Sequence, residues 1–210
     1  MTARIITIAQ QKGGAGKTTL AAQLAVVWSR QGRRLAVVDI DPQASLAAWT
    51  ELRRQRLGDD ALGFEFAALS GWRAGEWVER RAREADVVVI DSPPHAELEA
   101  RIALRAASLV VVPVQPSALD LWSSAKTFGL AREESRPVLA VLNRIPPRSG
   151  LIDTVKAELT RDGVRLAAAM LGNRVAFAQA MAQGAGVVET APSNTAAAEI
   201  TALATEIATS

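Results

Sequence analysis

The chain of 210 residues has no cysteine, no tyrosine, one histidine, and only four lysines beside twenty arginines. Without cysteine there are no disulfides, thiolate metal sites or cysteine-held iron–sulfur clusters. The lone histidine, His95, follows Pro93 and Pro94 with no acidic or cysteine cluster, and reads as an exposed loop residue rather than a metal ligand. No run of about 18 uncharged apolar residues exists to span a membrane. Low-complexity tracts, internal repeats and linkers are also missing, and with the first apolar run beginning at Ile5 no secretory leader is expected. With 49% hydrophobic residues, the chain is expected to bury one core as a single domain over 1–210.

What is present is concentrated in residues 11–19: Gln11, Lys12, Gly13, Gly14, Ala15, Gly16, Lys17, Thr18 and Thr19. Glycines in such a loop let backbone N–H groups surround phosphate oxygens at a helix N-terminus. Lys17 then reaches the β- and γ-phosphates, and the Thr18 hydroxyl suits Mg²⁺. The usual spacing would need glycine at position 11; Gln11 and the additional Lys12 mark a variant. A β-branched run at Ile5–Ala9 precedes the loop, and Leu20, Leu24 and Val27 follow at helical spacing before Gly32. Two more apolar runs end in carboxylates, Leu35–Ile40 at Asp39 and Asp41, and Val87–Ile90 at Asp91. Carboxylates at the ends of parallel strands lie where open α/β sheets bind ligands, though an aspartate there also caps the next helix.

Further strands are expected near Phe64–Phe66 and over 109–114, 138–143 and 165–171. Helices are expected over 44–56, 73–84, 96–106, 118–134, 151–162, 174–183 and 194–208. Continuous apolar strands alternating with helices predict an α/β fold, a mainly parallel twisted sheet covered on both faces. Trp28, Trp49, Trp72, Trp77 and Trp122 read mainly as packing residues, with Trp49 and Trp122 placed to face a partner.

Lys-Gly-Gly-Ala-Gly-Lys-Thr-Thr at 12–19, Val-Asp-Ile-Asp-Pro-Gln at 38–43 and Val-Ile-Asp-Ser-Pro-Pro at 89–94 resemble the deviant Walker A, A′ and Walker B segments of ParA/MinD-type ATPases. The resemblance continues through the proline-containing stretch at 112–117 and Val141-Leu142-Asn143-Arg144, and is nearest to the small ParA proteins. It implies a P-loop NTPase fold with ATP and Mg²⁺ as ligands. Lys12 is implied to reach across an ATP-bound dimer to the partner's phosphates, an electrostatic role comparable to an arginine finger. Lys17 and Thr18 would act in cis, Asp39 and Asp91 would lie in the metal's outer shell, Asp41 would serve hydrolysis, and Asn143 would meet the adenine edge.

The resemblance also implies a cytoplasmic, nucleoid-associated homodimer reset by a ParB-like or other adaptor. Its cargo would be a plasmid, a chromosome region or a protein cluster. Residues 136–174 carry seven basic and three acidic side chains, which suggests non-specific DNA binding through Arg148, Arg165 and Arg174; scattered solvated arginines would look the same. The segment 196–210 has no Lys or Arg, so a membrane-lying basic helix is not expected and a packed final helix is. The missing cysteines separate the chain from the nitrogenase iron protein, and the missing tyrosines from bacterial tyrosine kinases with a related ATP site. Three alternatives stay open: a dethiobiotin synthetase-like enzyme that phosphorylates a small carboxylate, a module that holds ATP without hydrolysing it, and a switch that tracks protein instead of DNA.

Overall fold

Aliphatic runs too apolar to face water on either side become the centre of a seven-stranded sheet in which every pairing is parallel. The computed structural model describes residues 3–70, 72–94 and 97–210, which places His95 outside the described residues. The strands are β1 (Arg4–Ile8), β2 (Leu35–Asp39), β3 (Glu65–Ala68), β4 (Val87–Asp91), β5 (Leu109–Val114), β6 (Val138–Leu142) and β7 (Arg165–Leu166), arranged β3-β2-β4-β1-β5-β6-β7. The connections reverse direction around β1, where crossovers leave toward both edges and open a crevice at the strands' C-terminal ends.

Alternation along each strand divides the core. Val87 and Val89 of β4 face one layer while Val88 and Ile90 face the other. On the first face lie α1 (Lys17–Arg30), α2 (Ser45–Leu57), α7 (Val175–Met181), α8 (Val187–Thr190) and α9 (Thr195–Thr209). On the second lie α3 (Trp72–Arg81), α4 (Glu97–Ala106), α5 (Ala118–Glu133) and α6 (Ile152–Arg161). The expected final helix is the packed one: Ile200, Leu203 and Ile207 of α9 are fully buried, and the Trp28 indole donates to the Ala204 carbonyl at 3.3 Å. Among the described residues no helix is long and apolar enough to cross a membrane.

Two expectations change. Strand β7 is only two residues long because the next amides leave the sheet: Ala168 and Ala169 donate instead to the Glu206 carboxylate of α9, and the chain returns to β6 at Leu171. Trp49 does not face a partner; it is buried and stacked on Phe64, with ring centroids 6.3 Å apart.

Beside Trp49 sits an ion pair taken out of water. Arg53 is 3% exposed, donates to both oxygens of Glu189 at 2.8 Å, and also donates to the Leu62 and Gly184 carbonyls. Burial penalises the Glu189 carboxylate, but Arg53 and the Gly186 amide outweigh that and hold its pKa below the ordinary value. This pair fastens α2 to α8, and the Gly184 contact fastens it to the turn before α8. Arg56 also reaches Glu189, at 3.1 Å, so Arg53→Ala leaves the carboxylate with one cation instead of two and is expected to cost about 2–3 kcal/mol, read as a lower urea midpoint with unchanged slope.

Candidate functional site

Between β1 and α1 the chain makes a loop whose backbone favours glycine at two points. Gly14 and Gly16 have φ of 75° and 95°, and a Cβ at Gly16 would lie 2.6 Å from the Asn143 carboxamide nitrogen. Helix α1 begins directly after Gly16 with no side-chain cap and no acidic residue in its first turn. Its first amides and the positive end of its dipole therefore face the loop unneutralised, an arrangement suited to an anion.

Three ionisable groups are drawn in around this end. Lys17 is 6% exposed, and burial lowers its pKa while Asp91 and Asp41 oppose the shift. Asp91 is almost fully buried; one of its oxygens accepts the Thr18 hydroxyl at 2.7 Å and the other has no partner. Desolvation is the main reason its pKa rises to about 7, with nearby Asp39 and Asp41 adding to the rise. Asp39 is also pushed up by burial, but both of its oxygens are used: one takes the Asp41 amide at 2.9 Å, the other the Ala47 amide at 3.0 Å in the first turn of α2. Asp41 is half-exposed and accepts the Gln43 amide at 2.9 Å, which holds its carboxylate at the crevice rim.

These residues fit Mg²⁺ and a triphosphate. The unpartnered Asp91 oxygen and the Thr18 hydroxyl are donors a hard cation accepts. Among the described residues no group of three His, Cys, Asp or Glu side chains could hold a metal. The remaining ligands would have to come from phosphate and water, as is usual for Mg²⁺ in nucleotide sites.

Lys12 points away from this cluster. Its ammonium is held at 2.6 Å by Asp120 in the first turn of α5, and Asp120 is 3% exposed. The same carboxylate oxygen accepts the Ser117 hydroxyl at 2.5 Å, while the other oxygen is buried without a partner. Gln11 and Lys12 form one side of a shallow groove whose other side is Leu119, Trp122 and Lys126. Trp122 is 66% exposed and so does not pack in the core of its own chain.

A cavity of about 370 Å³ flanks the loop on the α7 side, lined by Gly16, Thr19, Asn143, Arg174, Phe177 and Ile200 among others. Asn143, the residue implied to meet the adenine edge, lines this cavity, and its hydrogen bonds are internal. Its Nδ2 donates to the Ala15 carbonyl at 2.9 Å and its Oδ1 accepts the Arg144 amide. The three arginines expected to share a DNA surface are not brought together. Arg165 starts β7 at the opposite end of the sheet from the crevice and donates to the Ser210 hydroxyl. Arg174 lines the cavity and is paired through two hydrogen bonds with Glu199, at 2.9 and 2.5 Å. Arg148 is exposed in the loop after β6. The charge count along the sequence could not register that Glu199, twenty-five residues away from Arg174, would neutralise it.

Sequence reasoning missed Asp120 and gave no task to Gln10. The available signal for Asp120 was Ser117 three positions earlier, an N-cap spacing the structure realises through the Asp120 amide donating to the Ser117 hydroxyl at 3.1 Å.

The buried Asp91 makes stability depend on pH. Unfolded, it releases its proton near pH ~3.9; folded and without ligands, it does so at about 7. The stability linked to its proton is complete below the lower value and is lost as pH rises through the higher one. Asp91→Asn cannot ionise, so at pH 8 the nucleotide-free variant is expected to be more stable than the parent, by up to about 4 kcal/mol, with the two converging near pH 4. Urea unfolding at both pH values checks this; equal stability at pH 8 overturns it.

Residues 6–187 match the CobQ/CobB/MinD/ParA nucleotide binding domain. Over 211 aligned residues the chain is 28% identical to the maintenance of carboxysome distribution protein A of Halothiobacillus neapolitanus, covering 96% of this chain and 95% of that protein. It is 30% identical to the chromosome-partitioning ATPase Soj of Thermus thermophilus, with 97% and 95% covered. Among solved structures, the cell division ATPase MinD of Pyrococcus furiosus superposes with a TM-score of 0.80 at 22% identity, over 97% of this chain and 98% of that one. An ATP complex of a Cyanothece McdA variant gives 0.78 at 17% identity, over 98% and 96%. A sequence match that runs from within β1 to the start of α8 is too long for a shared loop alone, and the chain belongs to the CobQ/CobB/MinD/ParA nucleotide binding domain family.

Proposed function

We propose that this chain is an ATP-dependent dimerising ATPase that positions a cargo inside the cell, using non-specific DNA as its track. The observation that carries the reading is the placement of Lys12. Its ammonium is turned out of its own loop into a surface groove beside the exposed Leu119 and Trp122, held by a buried carboxylate that one proton donor and one cation do not fully satisfy. A lysine serving its own nucleotide would point inward, as Lys17 does. Family membership supports the ATPase chemistry, and the names of the carboxysome-distribution and Soj relatives support a positioning role.

In this reading Lys17 and the α1 amides hold the phosphates, Thr18 and Asp91 hold Mg²⁺, and Asp41 orients the attacking water. Bound Mg²⁺ would neutralise charge that develops on the phosphate oxygens. Lys12 exchanges Asp120 for the phosphates of a second copy, so pairing competes with the internal ion pair. Hydrolysis, stimulated by an adaptor protein, removes the γ-phosphate and lets Lys12 return. Arg148 remains available as a phosphate contact on DNA, whereas Arg174 serves only if Glu199 releases it. A nucleoid-associated, cytoplasmic location follows from such a cycle.

Lys17→Ala is expected to abolish nucleotide binding. Lys12→Ala should bind ATP as the parent does yet stay monomeric in ATP-dependent sedimentation; normal dimerisation contradicts the trans role. Asp41→Ala should bind ATP and remain dimeric on DNA. ATPase assays with and without non-specific DNA, and DNA retention at low salt, complete the test, since absence of both ATP-dependent dimerisation and retention ends the positioning reading. Asp120→Asn weakens the competing contact and is expected to lower the ATP concentration at the dimerisation midpoint severalfold; an unmoved midpoint shows that Asp120 does not restrain Lys12.

A further inference from the structure

Two consecutive carbonyls of the phosphate loop are occupied by side chains from outside the loop. The Gly14 carbonyl accepts Gln115 Nε2 at 3.2 Å and Arg144 Nη1 at 2.8 Å; the Ala15 carbonyl accepts Asn143 Nδ2 at 2.9 Å. In a trans peptide the N–H points opposite to the C=O. Holding these two carbonyls therefore fixes the direction of the Ala15 and Gly16 amides. Without such contacts the loop would be free to rotate those peptides, because glycine at 14 and 16 imposes little of its own.

The donors come from two places that the sheet brings level with the loop. Gln115 follows the last residue of β5, and Asn143 and Arg144 follow the last residue of β6, whose Leu142 pairs with Val114. Arg144 adopts φ 53°, a left-handed conformation uncommon for a non-glycine residue. Its amide is held there by the Asn143 Oδ1 at 2.9 Å, so one asparagine both fastens the loop and fixes the backbone that aims the arginine. Strain of this kind persists where the surroundings enforce it, and it clusters at ligand sites.

We infer that Gln115, Asn143 and Arg144 are positioning residues that clamp the loop from outside and keep its amides aimed at the phosphate chain. The inference rests on the nucleotide reading of the site and assigns these residues to the phosphates, whatever Asn143 contributes to the base. Order in the loop before binding lowers the entropy lost when phosphate arrives. Arg144 also brings a fixed positive charge to the loop's rim.

The test uses two probes, ADP with Mg²⁺ and inorganic tripolyphosphate, which has the phosphates and no base. Gln115→Glu replaces the donor with an acceptor of the same shape. Arg144→Gly removes the guanidinium while relieving the left-handed backbone. Each variant is expected to lose about tenfold in affinity for both probes. Arg144→Gly should do so with a melting temperature equal to or above the parent's, an opposite movement that a merely structural arginine would not produce. Arg144→Lys, which keeps the charge and a donor, should recover most of the loss. Affinity lost for ADP but kept for tripolyphosphate would assign these residues to the base and overturn the clamp, as would unchanged affinity for both. If the parent binds neither probe, the nucleotide reading itself fails and the clamp with it.

Discussion

The pairing of β1 with β4 is the constraint on which the site depends. Ile8 lies in register with Asp91, so the loop leaving one strand and the carboxylate leaving the other begin at the same level. A one-residue slip would turn Asp91 to the other face and leave Thr18 without its partner. The register runs unbroken from Arg4 opposite Val87 to Ile8 opposite Asp91, and Asp91 is the β4 residue that a slip would displace at a cost. The pairing thereby sets the position of buried charges that it does not itself stabilise. Asp91 and Lys17 are both displaced by burial toward their neutral forms, the expected condition of a site built for ligands that carry the missing charges.

A second set of polar contacts connects that site to the surface. Gln10 is 1% exposed; its amide donates to Ser124 at 2.7 Å and to the Pro113 carbonyl at 3.3 Å, and its carbonyl accepts the Thr127 hydroxyl. The Gln11 amide donates to the same threonine, and Lys12 is held by Asp120. Positions 120, 124 and 127 are one face of α5, the spacing that aligns side chains along a helix. Leu119 and Trp122, on another face of the same helix, stand in solvent. One rigid helix thus has its buried polar face on the entrance to the phosphate loop and its exposed apolar side beside Lys12.

The parallel sheet, the order of loop and carboxylates, and the final packed helix were legible in the sequence because each is a local pattern. Val87–Val88–Val89–Ile90 reads as a doubly covered strand wherever it occurs, and Gly14 and Gly16 announce a backbone that other residues resist. What could not be read depended on partners distant in the chain. The tie between Arg174 and Glu199 cancels a charge that the local count left free, and Arg165 stands at the wrong end of the sheet to join Arg148. Strand β7 is short because Glu206, far along the chain, takes the amides of Ala168 and Ala169 that follow it. Trp49 turned inward because Arg53 and Phe64 enclose it.

By itself, the sequence determined which elements form and which chemistry the loop can perform, since glycine conformations, β-branched runs and charged residue types act over a few neighbours. The tertiary structure alone decided how those groups are poised. It paired Lys12 with Asp120 across 108 residues, left one Asp91 oxygen without a partner, and brought Gln115, Asn143 and Arg144 onto the loop's carbonyls. The reason is physical: a hydrogen bond or a desolvation cost is set by distance and surrounding atoms, and only the folded sheet specifies those.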